Sequence, residues 1–233
     1  MKKDKLVLLL VMGCMTLITF NSCTNKRKDI KDAYNFNKYS EGADGNESIG
    51  EYDPILMLVN DEYWVSESFV PSNLEKVNIP FSGAASEDEM YMEYEAAKAI
   101  EKLVDGALKD DIYLYGVSGY RPYELQKYIY EVNVANNGQE YTNDYVAIPG
   151  RSEHQIGLAM DLGDSTGNLI ENSEEVDWVN NNAHLYGFIL RYPKGKEEIT
   201  GYKYESWHIR YVGVNVATKI YSENITLEEY YDY

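Results

Sequence analysis

The chain holds only three histidines in 233 residues. Two of them stand beside carboxylates in glycine-punctuated segments. His154 lies in "SEHQIGLAMD", residues 152–161, seven positions before Asp161, and His208 lies in "YESWHIRYVG", residues 204–213, three positions after Glu205. A catalytic zinc ion takes three nitrogen, oxygen or sulfur ligands and keeps a fourth position open for water. The only cysteines are Cys14 and Cys23, near the amino terminus, so a zinc site in the later domain must mix histidine with carboxylate. The same fact excludes a cysteine nucleophile and a disulfide framework from that domain. Seven positions are too many for one helical turn and odd for a strand. His154 and Asp161 therefore meet only across a turn, which Gly157 permits. His208 is then a natural third ligand, and Glu205 is near enough to aim a carboxylate at a water on the metal.

Each of these residues also has an ordinary structural explanation. His154 fits a surface loop, Asp161 a turn cap before Gly163, and His208, between Trp207 and Ile209, a core histidine with satisfied hydrogen bonds. Spacing alone leaves both explanations open. His184, in "AHLYGF", reads as a structural residue near a helix end, where a cation suits the dipole.

The elements that must position these groups alternate between helix and strand. "PILMLVN", from Pro54, reads as a short strand. Ser86 and Glu89 form a capping box for a helix running to about Leu108, with Ala97, Ile100, Val104 and Ala107 at helical spacing. "IYLYGVSGY", residues 112–120, is β-rich. Pro122 suits the first position of a helix through about Ala135. "GLAMDLG" reads as a buried strand, and Asn172 with Glu175 as the cap of a helix carrying Val176, Val179, Ala183 and Tyr186. "GFILRYP" and "GYKYESWHIRYVG" read as strands, a last helix covers roughly 214–223, and the terminal "YYDY" is expected to fray. Most of the 23 tyrosines fall at core or half-buried positions rather than forming a sugar-stacking face. No repeat, Walker loop or dinucleotide fingerprint is present. The class is α+β.

Composition narrows the partners. Hydrophobic residues make up 44% and charged residues 26%, ordinary for a globular domain. A formal net charge of -18 argues against nucleic acid, which needs clustered Lys and Arg, and against a basic patch on anionic lipid. Lys2, Lys3 and Lys5 precede an apolar run from Leu6 to Phe20, followed by "NSC" at 21–23. This has the form of a lipoprotein-type signal peptide, residues 1–23, with Cys23 as the lipidated residue and Cys14 as the competing site. The apolar run is short for a membrane span. Residues 24–50 are polar and aperiodic, a flexible tether to a domain at 51–233. The expectation is an exported, extracytoplasmic protein anchored to the membrane through lipid on Cys23.

Four segments in order resemble the VanY-type D-alanyl-D-alanine carboxypeptidases, over about residues 90–213. "SEHQIGLAMD" resembles the family's S-x-H-x-x-G-x-A-x-D motif, and "YESWHIRYVG" its E-x-x-H motif. "SGYRPYELQ", residues 118–126, is similar to S-G-Y-R-x-x-x-x-Q, and residues 178–202 match the stretch between the two metal motifs. Ser206 stands where proline is usual. The resemblance implies a small central antiparallel sheet flanked by helices with the zinc site at the sheet, the D-Ala-D-Ala carboxypeptidase/hedgehog-like fold. It implies one Zn2+ held by His154, Asp161 and His208, with Glu205 as general base. Arg121 would lie against the substrate's scissile carbonyl or terminal carboxylate, and Gln126 and Ser152 would help to hold the peptide end. The implied reaction is removal of the C-terminal D-Ala from peptidoglycan stem peptides by a monomeric enzyme. An L,D-carboxypeptidase acting on the tetrapeptide shares the same zinc set. A non-catalytic cell-wall-binding module on this fold would lack Glu205 or a ligand, and none is missing.

Overall fold

The strands that carry the candidate ligands are built on a two-residue alternation. In "AMDLG" and "ESWHIRY" the residues Met160, Leu162 and Ile209 alternate with Asp161, His208 and Arg210, which sends the apolar set to one face of a sheet and the polar set to the other. The computed structural model, which describes residues 53–231, has this arrangement. The expected signal peptide with Cys14 and Cys23, the tether and the last two positions, 232–233, lie outside the described residues. Among the described residues no helix is long and apolar enough to cross a membrane.

Four strands, β3 (Tyr115–Ser118), β4 (Ala159–Gly163), β5 (Phe188–Tyr192) and β6 (Glu205–Tyr211), form an antiparallel sheet in the order β3-β4-β6-β5. A separate two-stranded ribbon pairs β1 (Leu74–Lys76) with β2 (Tyr91–Glu93). The helices are α1 (Tyr94–Lys109), α2 (Tyr123–Asn137), α3 (Gln139–Tyr145), α4 (Glu174–Asn182), α5 (Glu197–Thr200), α6 (Val214–Glu223) and α7 (Leu227–Tyr231). The class is α+β with a small central antiparallel sheet flanked by helices, as the sequence indicates.

The main core joins Met160, Leu162 and Ile209 of the sheet to Ile100, Leu103 and Val104 of α1 and to Val176 and Val179 of α4. Ala97, Ile100, Val104 and Ala107, the helical stripe of α1, are all buried. A smaller cluster puts Ala217 and Ile220 of α6 and Leu227 of α7 against Leu58, Ile189 and Val212.

Several local expectations are corrected. "PILMLVN" is a 3-10 turn, Pro54–Leu56, followed by irregular chain. Leu58 and Val59 are buried there without strand pairing, because burial rather than extension is what their apolarity demanded. The Ser86 amide donates to Glu89 Oε2 at 2.9 Å, but this opens only a 3-10 turn, Asp88–Met90. The α1 helix starts later, capped by Glu93, whose carboxylate accepts from the Glu95 and Ala96 amides. Pro122 is the residue before α2 rather than its first. Asn172 adopts a left-handed conformation, and Ser173 precedes α4 without a side-chain cap bond. Tyr230 and Tyr231, expected to fray, pack against the smaller cluster.

Gly119 links this scaffold to the site. Its amide donates to the Glu89 carbonyl and the Tyr120 amide to the Tyr91 carbonyl. A Cβ at Gly119 would stand 2.5 Å from the Tyr91 carbonyl oxygen and 2.8 Å from that of Glu89, both backbone atoms that cannot rotate away. Gly119→Ala is therefore expected to destabilise the fold by about 1–3 kcal/mol, the usual cost of overpacking. Denaturant unfolding measures this, and an unchanged midpoint would contradict the close approach.

Candidate metal centre

The register of the sheet creates the site. Asp161, on the central strand β4, pairs with Ser118 of β3 on one side and with His208 of β6 on the other. Directly opposed residues of antiparallel strands project to the same face, so Ser118, Asp161 and His208 form one row. His154 arrives from outside the sheet on a 3-10 turn, Glu153–Ile156, which Ser152 caps and Gly157 ends at φ +70°. That left-handed residue reverses the chain into β4, as its glycine permits. Ligand atoms of His154, Asp161 and His208 lie within 4.8 Å of one another.

Hydrogen bonds select one nitrogen of each ring. His154 Nδ1 is 2.8 Å from the Gly119 carbonyl. A carbonyl only accepts, so Nδ1 carries the proton and Nε2 is left as a lone-pair donor, 3.3 Å from Asp161 Oδ2. His208 has the opposite arrangement. Its Nε2 faces Glu153 Oε2 at 3.5 Å, while Nδ1 faces Asp161 Oδ1 at 3.0 Å and Glu205 Oε2 at 3.9 Å. Second partners of this kind fix the tautomer and aim of a metal-binding imidazole. Two nitrogens and a carboxylate oxygen converging in a buried pocket form a donor set suited to zinc.

Electrostatics follow from burial. Burial opposes the charge of Asp161, but His154 and His208 outweigh it and hold the carboxyl well below the usual range. Burial and the nearby Arg121 keep His154 neutral-leaning, with its pKa lowered. For His208 burial acts in the same direction, yet hydrogen bonds to Asp161 and Glu153 prevail and push it up to about 9. A ligand imidazole must be deprotonated, so a metal competes with that proton. Burial pushes Glu205 up to about 8, with repulsion from Asp161 adding to it and His208 and Arg121 opposing it. A cation among its neighbours pulls it back toward the range of a general base.

Arg121 reaches the same pocket from the turn after β3. It donates from Nη1 to Gln126 Oε1 (2.9 Å) and from Nη2 to Ser118 Oγ (2.8 Å), and Nη2 lies 3.6 Å from Asp161 Oδ2. A guanidinium has five N–H groups, so terminal N–H groups remain for a ligand, while the buried Nε makes no hydrogen bond and faces Glu89 Oε1 at 3.8 Å. Gln126 is buried, with Oε1 on Arg121 and Nε2 on the Ala147 carbonyl. Ser152 is buried with Oγ accepting from the His154 amide. Both line the pocket, Gln126 in contact with Arg121 and Ser152 with the backbone of the His154 turn. Glu89 belongs here too, because it accepts from Ser118 Oγ at 2.8 Å. The sequence marked Glu89 only as a capping residue.

His208, Glu205, Arg121 and the ligands line a cavity of about 210 Å³, with Tyr192, Tyr202, Leu169 and Trp207 in its wall. It is smaller than the ~300–1,000 Å³ of pockets for drug-sized molecules. A larger cavity of about 700 Å³ beside Phe69, Pro71 and Leu158 contains none of these groups. Ser206 continues β6 and donates to the Ile170 carbonyl at 2.6 Å, so its hydroxyl satisfies a backbone acceptor there. His184 is structural for a different reason than expected. Its ring stacks on Tyr221 at 3.8 Å, and burial lowers its pKa rather than favouring a cation.

The VanY family model, described as D-alanyl-D-alanine carboxypeptidase, matches residues 89–214. The bifunctional D-Ala-D-Ala dipeptidase and D-Ala-D-Ala carboxypeptidase VanXYC of Enterococcus gallinarum is 41% identical over 76% of this chain and 94% of its own. The LdcB LD-carboxypeptidase superposes with a TM-score of 0.71 at 42% identity, over 82% of this chain and 92% of that one. A mutant of the vancomycin-resistance D,D-pentapeptidase VanY in complex with Zn(II) superposes with a TM-score of 0.66 at 34% identity, over 76% and 99%.

Zinc at 100 times its Kd should raise the stability of the protein by about 2.7 kcal/mol, the linkage expected of one site. In Asp161→Asn the gain should vanish while the protein still folds. Thermal unfolding with and without zinc decides this, and an undiminished gain in the variant would remove Asp161 from the ligand set.

Proposed function

The chain belongs to the VanY D-alanyl-D-alanine carboxypeptidase family, and from that premise we propose that it is a zinc carboxypeptidase that removes the C-terminal D-Ala of peptidoglycan stem peptides at the D-Ala-D-Ala bond. One observation carries the reading: the ligand atoms of His154, Asp161 and His208 lie within 4.8 Å, with the Glu205 carboxylate 3.9 Å from His208 Nδ1.

Zinc in this set would act as a Lewis acid toward the scissile carbonyl and bring the pKa of water near 7. The chain supplies the rest. Glu205, buried beside the ligands, takes the proton of the attacking water and passes it to the departing amine nitrogen. Arg121 binds the terminal carboxylate of the peptide through its remaining N–H groups and stabilises negative charge on the carbonyl oxygen. Gln126, Ser118 and Glu89 hold the guanidinium in place. Tyr192, Tyr202 and Trp207 wall the pocket and limit water around the reacting groups. The ligand set, Glu205 and Arg121 are all present, which favours an enzyme over a binding module.

The likeness to the LdcB LD-carboxypeptidase, at 42% identity, favours a second reading in which the tetrapeptide is the substrate and the bond cut joins an L-centre to D-Ala. Both readings use the same residues. Export and anchoring through Cys23 are part of the proposal, supported by the lysine-led apolar run before that cysteine.

Muramyl pentapeptide and tetrapeptide, incubated with the protein with and without EDTA and then weighed, separate the readings. Loss of one alanine from the pentapeptide alone, blocked by EDTA, is the expected result. Loss from the tetrapeptide alone establishes the L,D reaction, and cleavage of neither substrate by zinc-loaded protein defeats both. Glu205→Gln should retain zinc and lose activity by several orders of magnitude. Substantial turnover by that metal-loaded variant would remove Glu205 from the role of base.

A further inference from the structure

Glu153 is fully buried, one residue before a ligand, and has no part in the reaction described above. Its Oε1 accepts from Arg191 Nε and from Arg210 Nη1, each at 2.7 Å. With that oxygen taken twice, Oε2 is left to face His208 Nε2 at 3.5 Å. The two arginines are fixed in turn. Arg210 also donates to the carbonyls of Tyr211, Ile55 and Met57. The two terminal nitrogens of Arg191 meet the Glu228 carboxylate at 2.6 and 2.9 Å, and Glu228 accepts from Asn60 as well. Tyr192 packs its ring against His208 at 4.9 Å.

We infer that Glu153 is a positioning residue for His208 and that helix α7 reaches the metal centre through the hydrogen-bonded series Glu228, Arg191, Glu153 and His208. The inference rests on the zinc reading. An imidazole ligand binds through one nitrogen, and a carboxylate on the other fixes the tautomer and the ring plane and raises basicity. Here the carboxylate on His208 is held by two arginines, so it cannot swing away or take up the proton it orients. A network kept only for stability has a cheaper alternative, since apolar replacements of buried ion pairs are often neutral or stabilising. The side chain that touches a ligand is the one the arginines clamp. Arg191 is clamped from its far side by the last described helix.

The test uses the whole protein in three forms: wild type, Glu153→Gln and Glu228→Gln. Zinc affinity is read by competition with a chelator, the ligand field by the visible absorption of the Co(II)-substituted protein, and the apo fold by its unfolding midpoint. Glu153→Gln is expected to lose about 10- to 100-fold in zinc affinity, the range for such second partners, and to alter the Co(II) spectrum. Glu228→Gln should lose affinity in the same direction by less. A merely structural role would lower the apo midpoint and leave affinity and spectrum of the folded variants unchanged, which overturns the inference. If Glu153→Gln does not fold, Glu228→Gln reads the same series, and wild-type affinity and spectrum in that variant overturn it. A wild type that takes up no zinc overturns the functional reading itself, whereas wild-type uptake with unaffected variants overturns only the positioning role.

Discussion

An ionised carboxylate buried in a protein interior is costly unless cations and hydrogen bonds surround it. This molecule buries Glu153 and Glu205 and half-buries Asp161 within one small region. The positions of Arg121, Arg191 and Arg210 follow from that constraint. Arg121 stands against Asp161, while Arg191 and Arg210 share one oxygen of Glu153. Arg191 and Arg210 are among the largest fully buried side chains, which is tolerable only because most of their donors are used. The sheet register, the 3-10 turn before β4 and the C-terminal helix are all arranged around these charges. A divalent cation held by His154, Asp161 and His208 would add positive charge to the same balance.

The site divides into a rigid half and a reactive half. Asp161 and His208 are paired across adjacent central strands, and rigid elements hold ligands more accurately than loops do. His154 lies on a short turn, but Ser152, Gly119 and the left-handed Gly157 fix it at both ends. Glu205 and Arg121 face the cavity with capacity to spare, because Glu205 accepts few bonds and Arg121 keeps free N–H groups. Groups that must exchange protons or bind a substrate need this unspent capacity, whereas ligands do better fully constrained. The same logic explains Gln126 and Ser152. Gln126 bonds to Arg121 and to the Ala147 carbonyl, and Ser152 accepts from the amide of the His154 turn.

The order of most elements was legible in the sequence because it depends on local rules, whereas the candidate ligands stood beside ordinary structural explanations until the family motifs were added to their spacing. The alternation in "AMDLG" and "WHIRY" shows which residues share a face, and a histidine, a glycine and an aspartate at fixed spacing show a turn into a strand. Local rules failed where another interaction competed with them. The Ser86 and Glu89 pattern signalled a helix start, but Glu89 carries a bond to Ser118 and the chain forms β2 before α1 begins. Apolar "PILMLVN" was extended in expectation and irregular in fact, since its residues gain by burial without a pairing strand.

The sequence by itself determined the chemistry available: two imidazoles and two carboxylates without thiols, a glycine for the turn, and an arginine beside them. Those are properties of residue types and short spacings, which the chain carries wherever it folds. Only the tertiary structure decided how they act. The choice of ring nitrogen depends on Gly119 for His154 and on Glu153 for His208, partners 35 and 55 positions away. Glu153 gains its significance from Arg191, 38 positions on, and Asn60 meets Glu228 across 168 positions. No periodicity records such pairings, because strand register and helix docking bring them together only after the core has formed.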